Sequence, residues 1–341
     1  MAAQQQPDGA LPWFDGGQLD PWDSVEAAMA LDVGGEHERA GAAYRWLARQ
    51  QRPDGSWAAE YRGGEESSPA AESNHAGYLA VGTWHSWLVS GDEQLVTELW
   101  PAVRRGLDLV TRMQLPGGAI GWALRPDRSA DDTALLTGNA SLFQALRCGI
   151  ALAGLHGEVQ PDWEVAVGDL GEALRERPAA FADRSRFSMD WYYPVLGGAV
   201  TGAAARAHLA ADWDRFVVPG LGSRCVSDRP WVTGAETCEL ALALAVAGQP
   251  DAATEQVAAM QHLRSEDGSY WTGYVFADDA RWPVERTTWT AGAMVLAADA
   301  IARATPAGGL FPDPAALPAP GMPVTAPAAG SLTEGAGTVL P

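Results

Sequence analysis

The chain has 341 residues, 47% of them hydrophobic and 15 of them tryptophan, so it is long and apolar enough to bury a large core. Its net charge is −20 and all its basic residues are arginine, which argues against nucleic acid and anionic membranes as partners and excludes lysine-dependent chemistry. The three cysteines are scattered, the first residues do not resemble a secretion signal, and no apolar run is long enough for a membrane-spanning helix. We therefore expect a cytoplasmic protein.

One loop phrase recurs along the chain: a glutamine near a helix end, a turn with glycine, and a tryptophan. Two further loops end in tryptophan without the glutamine. A phrase repeated about every fifty residues predicts a repeat architecture. The full copies are QQPDGALPW (5–13), QQRPDGSW (50–57), MQLPGGAIGW (113–122) and QHLRSEDGSYW (261–271), and the partial ones are RSRFSMDW (184–191) and SRCVSDRPW (223–231).

Each phrase joins an amphipathic helix to a helix that is apolar nearly all round. In the first kind, Leu99, Val103 and Leu107 lie on one stripe with arginines opposite, which is typical of a helix with one face in water. The second kind should be buried on every face and form an inner ring. The predicted inner helices are 21–33, 69–89, 130–154, 189–209, 234–247 and 285–304, and the outer ones are 36–51, 92–114, 160–177 and 251–264, with a weak one at 211–217.

Six inner helices predict an all-α fold, an (α/α)6 barrel or toroid of about six helical hairpins over residues 1–305. The loops that lead into the inner helices are the long ones and hold most of the polar and aromatic residues. The mouth should therefore lie at the N-terminal ends of the inner helices. Residues 306–341 are rich in proline, alanine and glycine, which predicts a disordered tail without a catalytic role.

The helix ending in glutamine, the glycine and tryptophan turn and the buried helix resemble the QW repeat of squalene-hopene and oxidosqualene cyclases. They are also similar to the toroid of protein prenyltransferase β subunits. The best matches are RWLARQQRPDGSW and RRGLDLVTRMQLPGGAIGW, and the chain looks most like stand-alone prenyltransferase-like proteins of actinobacteria. This resemblance implies an isoprenoid-processing enzyme, a prenyltransferase or terpene cyclase, that binds a polyprenyl (diphosphate) substrate in the barrel cavity.

The stretch SADDTALL (129–136) resembles the DxDDTA motif of class II terpene cyclases, in which the middle aspartic acid protonates an alkene. The resemblance makes Asp131 the candidate acid and Asp132 its neighbour, with Ser129 in place of the first aspartate. Such an acid needs a dry pocket that keeps its carboxyl protonated beside aromatic faces.

Helix capping offers a structural explanation for part of this set. In a capping box, an acidic side chain three residues after the first polar residue satisfies first-turn amides. Capping accounts for Asp132, Glu236 and Asp23 without chemistry but leaves Asp131 unexplained. The candidate catalytic residues are Asp131, Asp132 and Glu236. The matches are Ser129 with Asp132, Thr233 with Glu236 and, as a close variant, Asp20 with Asp23.

The prenyltransferase resemblance also implies a zinc site built from an Asp-x-Cys pair and a histidine. Glu236, Cys238 and Thr288 stand at the matching places, and without the histidine too few ligands remain. Zinc is not expected, and no residue is assigned to a metal. No cofactor is certain, and magnesium stays open for the acidic side of the mouth.

Arginines concentrate in the later loops and acids in the earlier ones, so a closed barrel would have a polarised mouth. An arginine wall could clamp a diphosphate; alternatively, these arginines pair with nearby acids. Aromatic residues that begin inner helices are candidates for the cavity wall, and Glu72 with His75 is an acid and base candidate pair. The predicted substrate-binding residues are Glu72, His75, Arg186, Asp190, Trp191, Tyr192, Arg224, Arg229, Trp231, Trp271, Arg286 and Trp289.

Two other functions remain open. The stretch SGDEQLVTELWPAVRRGLDLV is similar to glucoamylase-type sequences, and a tryptophan-rich acidic mouth suits sugar stacking with two carboxylates as acid and base. The pair would be Asp131 with Glu236, or Glu72 with Glu285. The third possibility is a non-catalytic binding protein on the same barrel. The expected partner is a small molecule, either an isoprenoid or a sugar.

Overall fold

The computed structural model describes residues 1–311 except Pro126, together with Leu317. Within these residues the chain forms twelve α-helices and seven short strands. None of the helices in the described part combines the length and apolarity of a membrane span. The helices are α1 (Pro21–Val33), α2 (His37–Gln50), α3 (Ser73–Ser90), α4 (Glu93–Arg112), α5 (Leu136–Leu155), α6 (Pro161–Glu176), α7 (Ser188–Leu196), α8 (Gly202–Ala211), α9 (Trp213–Phe216), α10 (Gly234–Val246), α11 (Pro250–Ala259) and α12 (Thr288–Ala302).

Six helices form a closed inner ring in the order α1, α3, α5, α7, α10 and α12. Each contacts the next, and α12 packs against α1 to close the ring. Each outer helix contacts the inner helix that precedes it in the chain. The outer helices are α2, α4, α6, α8 and α11. The predicted all-α (α/α)6 barrel is confirmed, since helices that are apolar all round are the ones buried on every side.

The prediction of one continuous inner helix over 189–209 is wrong, because two helices cover this range. The inner helix α7 ends at Leu196, and Gly198 adopts a left-handed conformation with φ of +78°. A side chain at Gly197 would lie 2.3 Å from the carbonyl oxygen of Ala140 on α5, so the chain turns close against its neighbour. It then returns as α8, which is the outer helix of this hairpin. The weak helix predicted at 211–217 corresponds to the four-residue α9.

The glutamine of the repeated phrase is a clamp between neighbouring hairpins. The Nε2 atom of Gln51 donates to the carbonyl of Gly55 in its own turn at 3.2 Å and to that of Ala102 on α4 at 2.9 Å. One amide thus closes the corner and ties it to the next outer helix. In the fourth copy, Gln261 donates instead to Val257 in its own segment. The equivalent clamps are Gln114 to Gly118 and Ala166, and Gln5 to Gly9 and Arg39.

The glycine of the phrase is required by both conformation and space. Gly55 has a φ of +96°, and a Cβ atom there would lie 2.2 Å from the carbonyl oxygen of Arg105 on α4. Trp57 then covers the corner, with its indole nitrogen donating to Leu47 at 2.8 Å. The same backbone approach recurs at Gly9 and Gly118.

The strands all lie in loops that lead into inner helices, where they brace the mouth. Four of them form two antiparallel hairpins, β1 with β2 and β3 with β4, and the other three form one antiparallel sheet in the order β5, β6, β7. Each strand is too short to carry a core of its own. They are β1 (Glu60–Arg62), β2 (Glu65–Ser68), β3 (Val217–Val218), β4 (Gly222–Ser223), β5 (Trp231–Thr233), β6 (Gly273–Val275) and β7 (Ala280–Arg281).

The packed domain continues past the predicted boundary at residue 305. Residues Pro306–Gly309 form a 3-10 turn that contacts α12 and α3, and Phe311 is buried. Thr305 anchors this turn by donating to the Asp299 carboxylate at 2.7 Å. Leu317 is also buried. The rest of the predicted tail, 312–316 and 318–341, lies outside the described residues.

We expect Gly55→Ala to lower the free energy of unfolding by on the order of 2 to 4 kcal/mol, because it combines left-handed backbone with a clash against α4. Chemical denaturation would measure this loss. The matched control is Gly35→Ala, where φ is +78° but nothing lies within 4 Å, and only about 1 kcal/mol should be lost. Equal losses at the two positions would contradict the role of close packing.

Candidate active site

One face of α1 carries three carboxyl groups from the rim into the barrel. Asp20 caps the helix, and its Oδ1 accepts from the backbone N–H of Asp23 at 2.9 Å, as the capping pattern predicted. Glu26 follows three residues later and is buried. Side chains three apart share a helix face, so Asp20, Asp23 and Glu26 follow one another down the wall.

A second acidic wall comes from α10. Glu236 lies in its first turn and is buried, and its Oε2 atom has no hydrogen-bond partner in the described part of the chain. Glu239 lies one turn deeper and is only 2% exposed. Its two oxygens accept hydroxyl hydrogen bonds from Tyr192 and Tyr193, two consecutive residues of α7.

The deeper carboxyls are held by aromatic donors that carry no charge. The Oε1 atom of Glu26 accepts from Trp22 Nε1 at 2.8 Å and from Tyr78 Oη at 2.9 Å. The Trp22 ring packs against Tyr78 at 5.0 Å and edge-on against Tyr193 at 5.4 Å between ring centroids. The floor of the barrel is therefore an aromatic cage around two carboxyl groups.

This environment keeps protons on acids that normally lose them. Burial raises the pKa of Asp23 well above its usual range, and the charges of Asp20 and Glu26 raise it further, although the side chain is partly reachable from the mouth. Burial also raises the pKa of Glu26 to about 7, against the lowering effect of its Trp22 and Tyr78 hydrogen bonds. The pKa of Glu239 is raised well above its usual value by burial and by Glu26. A carboxyl that stays protonated near neutral pH can act as a general acid.

Three of the predicted residues, Glu72, His75 and Trp289, lie at the rim near Asp20. His75 Nε2 lies 3.9 Å from Asp20 Oδ1 and 4.0 Å from Glu72 Oε2, which is beyond hydrogen-bond distance but within reach of an ion pair. Trp13 Nε1 donates to Asp20 Oδ2 at 2.9 Å. Its ring lies 6.3 Å from that of Trp289, so the two rings form an aromatic edge beside the acids.

The DWYYP segment divides between two sides of α7. Tyr192 faces the barrel, as predicted, and Asp190 accepts from the Thr137 hydroxyl at 2.5 Å at the start of α5, while burial raises the pKa of Asp190. Trp191 points outward and stacks on Phe216 at 5.2 Å. The prediction that Trp191 lines the barrel cavity is wrong, because consecutive helical residues point about 100° apart.

Asp131 and Asp132 lie outside the barrel interior. Helix α5 begins at Leu136, so neither stands at a helix start, and the capping box predicted there does not form. Asp131 accepts from Thr133 N at 2.7 Å in a surface turn, and this hydrogen bond lowers the pKa of Asp131. Asp132 is exposed and pairs with Arg125 at 2.6 Å. The surroundings of Asp131 favour its ionised form and Asp132 is held in a surface ion pair, so the acid belongs elsewhere.

The predicted arginine wall is occupied by contacts within the loops. Arg186 pairs with Asp228 at 2.8 Å, as the alternative of local pairing predicted, and Arg286 pairs with Asp267 at 2.8 Å. Within the described residues, none of these predicted arginines hydrogen-bonds or pairs with Asp20, Asp23, Glu26, Glu236 or Glu239. The structure therefore gives no diphosphate clamp there. Of the other two arginines, Arg224 donates to Ser227 and lies over Phe276, and Arg229 is exposed.

Two predicted tryptophans brace the last loops. Trp231 donates from Nε1 to the carbonyl of Trp282 at 2.9 Å and packs edge-on against that ring. The ring of Trp271 lies below the guanidinium groups of Arg281 and Arg286, at 5.5 and 5.2 Å from its centroid. Both are accounted for by loop packing.

A large cavity lies away from the acids. It measures about 1110 Å³ and runs along the outer side of α7, where Phe181, Trp191 and Pro194 line it. Its other walls are the end of α6, the loop at 178–185 and α8, so it lies outside the ring of inner helices. No group of three or more His, Cys, Asp or Glu in the described part is arranged to hold a metal ion, and magnesium stays an untested prediction.

Known proteins resemble this chain in sequence and in fold. It is 57% identical over 311 residues to the MMP endo-(1,4)-3-O-methyl-alpha-D-mannosidase of Mycolicibacterium hassiacum, covering 91% of this chain and 86% of that protein. A glycosidase in complex with glucose superposes with a TM-score of 0.68 at 16% identity, covering 88% of this chain and 93% of that one. The GH63 mannosylglycerate hydrolase of Thermus thermophilus, also with glucose, gives 0.62 at 13% identity, covering 86% and 96%. No protein-family model matches the chain.

A closed barrel with an acidic, aromatic mouth and these relatives define an enzyme of the α/α-barrel glycoside hydrolase class. The chain belongs to the family of the MMP endo-(1,4)-3-O-methyl-alpha-D-mannosidase, as the extent of identity shows. The assignment to terpenoid cyclases and prenyltransferases is wrong, and so is isoprenoid processing. The glycoside hydrolase alternative is the one supported.

The central acids of the site were not predicted from the sequence. Asp23 was assigned to capping only, and Glu26 and Glu239 went unnoticed inside helices read as apolar. The signal was present as acids spaced three apart on helices expected to be buried on all sides, since buried charges need a reason.

We expect the raised pKa of Glu26 to make folding pH-dependent. The folded protein holds a proton that the unfolded chain loses above about pH 4.5, so stability should fall as pH rises from 4.5 to about 7. Relative to Glu26→Gln, the wild type should lose about 3 kcal/mol of unfolding free energy across this range. Urea titrations at several pH values would measure it. The exposed Glu38→Gln variant should track the wild type, and parallel curves for Glu26→Gln and wild type would contradict the expectation.

Proposed function

We propose that this enzyme cleaves (1→4) linkages within chains of 3-O-methyl-α-D-mannose. The observation that carries the proposal is 57% identity, over 91% of this chain, with an enzyme named for that reaction. The site supports it, because an uncharged sugar is bound by hydrogen-bonding side chains and aromatic faces and needs no arginine clamp. The Trp13 and Trp289 rings supply such a face beside Asp20.

The proposed acid is Asp23. It lies in the first turn of α1, partly open to the mouth, and its surroundings favour the protonated form. It donates this proton to the glycosidic oxygen as the bond from that oxygen to the anomeric carbon breaks. The leaving chain departs as an alcohol, and Asp23 is left as a carboxylate.

The proposed base is Glu236. It lies in the first turn of α10, and its Oε2 has no partner in the described residues, so it can accept a proton from a water molecule. That water forms the new bond to the anomeric carbon, and its proton passes to Glu236. Glu26 and Glu239 lie one turn deeper and already accept hydrogen bonds from aromatic side chains.

A cytoplasmic location is also part of the proposal. Cys148 and Cys238 are buried free thiols and Cys225 is a partly buried one. Free thiols persist in a reducing compartment. Fractionation of cells that express the protein would test this, and recovery outside the cytoplasm would contradict it.

Asp23→Asn and Glu236→Gln should each lower kcat by roughly a thousandfold with little change in Tm, because each removes one proton-transfer group. Release of reducing ends from 3-O-methylmannose oligosaccharides would measure kcat. Asp131→Asn is the control and should keep full activity, since Asp131 lies in a surface turn. Full activity of Asp23→Asn would reject it as the acid.

We expect the wild type to cut 3-O-methylated α-(1→4)-mannose oligosaccharides at internal linkages and to leave farnesyl and geranylgeranyl diphosphate unchanged. Mass spectrometry of the products would show fragments of several sugars rather than single residues released from one end. The unmethylated oligosaccharide of equal length is the matched substrate. Equal rates on both substrates would refute recognition of the methyl group, and no cleavage of either would refute the proposed function.

A further inference from the structure

Two carboxyl groups at the bottom of the site have no role in the proposed reaction. Glu26 and Glu239 are 4% and 2% exposed, so both lie in the dry interior. Burying an acid is costly unless a specific partner stabilises it. Their presence below the two candidate catalytic acids calls for a physical explanation.

Both groups are held in place by dedicated donors. Tyr192 and Tyr193 each donate a hydroxyl to a different oxygen of Glu239, so that carboxyl cannot rotate without losing both bonds. Trp22 and Tyr78 donate to one oxygen of Glu26, and the other oxygen, Oε2, has no partner in the described residues. Four aromatic side chains from three inner helices thus fix two carboxyls under Asp23.

The ionisable groups around Asp23, Glu26 and Glu239 are mostly acids, phenols and thiols. Helix α12, which packs between α1 and α10, presents Thr288, Trp289 and Thr290 in its first turn, and none of these ionises. His75 on α3 lies at the rim, with its Nε2 atom 3.9 Å from Asp20. The remaining ionisable neighbours are Asp20 on α1, Glu72 before α3, Tyr78 on α3, Tyr192 and Tyr193 on α7, Glu236 and Cys238 on α10, and Cys225 in the loop before it.

We propose that Glu239 and Glu26 are positioning residues that keep the proton on Asp23 until it is delivered to the glycosidic oxygen. The inference rests on the proposed function, because it takes Asp23 as the acid. Three carboxyls that share a cage, with no guanidinium facing it in the described part of the chain, oppose one another's ionisation, since each negative charge disfavours the next. Fixing the two deeper ones with aromatic donors makes the outermost acid the one that exchanges its proton with substrate.

The test is the pH profile of kcat/KM for Glu239→Gln. Glutamine keeps the size and one acceptor oxygen but removes the acidic group, so Asp23 should lose its proton at lower pH. The alkaline limb of the profile should then move down by about 1 pH unit, with KM nearly unchanged at low pH. A merely structural role would lower activity at every pH and leave the limb in place.

Glu26→Gln is the second variant and should move the limb in the same direction; it decides the matter if Glu239→Gln does not fold. Glu38→Gln, exposed on α2, is the matched control and should leave the limb unmoved. If Asp23→Asn is inactive but the alkaline limb of the kcat/KM profile does not move in either glutamine variant, the inference is overturned and the proposed function is not. An active Asp23→Asn enzyme would overturn the assignment of the acid and this inference with it.

Discussion

The barrel depends on close contact between successive inner helices, which closes the ring where α12 packs against α1. In the first half of the ring, the side-chain amide of a glutamine also joins its own turn to the next outer helix. Gln51 and Gln114 each make two such hydrogen bonds, and a glycine lets the backbones approach. A closed ring then directs the N-terminal ends of six inner helices toward one opening.

Convergence of helix starts explains why the acids behave unusually. Asp23 and Glu236 each lie in the first turn of an inner helix, and Glu26 and Glu239 lie one turn below them. The ring surrounds Glu26 and Glu239 with tyrosine and tryptophan donors, and it buries Asp23 beside Glu26. In such surroundings the neutral form of an acid is favoured, which is the property that sugar hydrolysis requires of its general acid.

The family error has a physical origin. The glutamine and tryptophan corner is a solution to packing hairpins into a toroid, and the terpenoid cyclases and these glycosidases share that packing problem. A motif that stabilises a fold predicts that fold, but it does not predict the reaction that the protein catalyses. The SADDTALL stretch misled for a similar reason, because the start of α5 falls at Leu136 and leaves Asp131 in a surface turn.

Hydrophobic periodicity and loop length were enough to predict the barrel, most of the order of inner and outer helices and the end at which the mouth was expected. The sequence also indicated Glu72, His75, Tyr192, Glu236 and Trp289, which do reach the acidic cluster or its rim. That Asp20, Asp23 and Glu26 on α1 face Glu239 on α10 could not be predicted in this way. These residues lie more than two hundred positions from Glu239 and come together because the ring closes, whereas hydrophobic periodicity relates only residues a few positions apart.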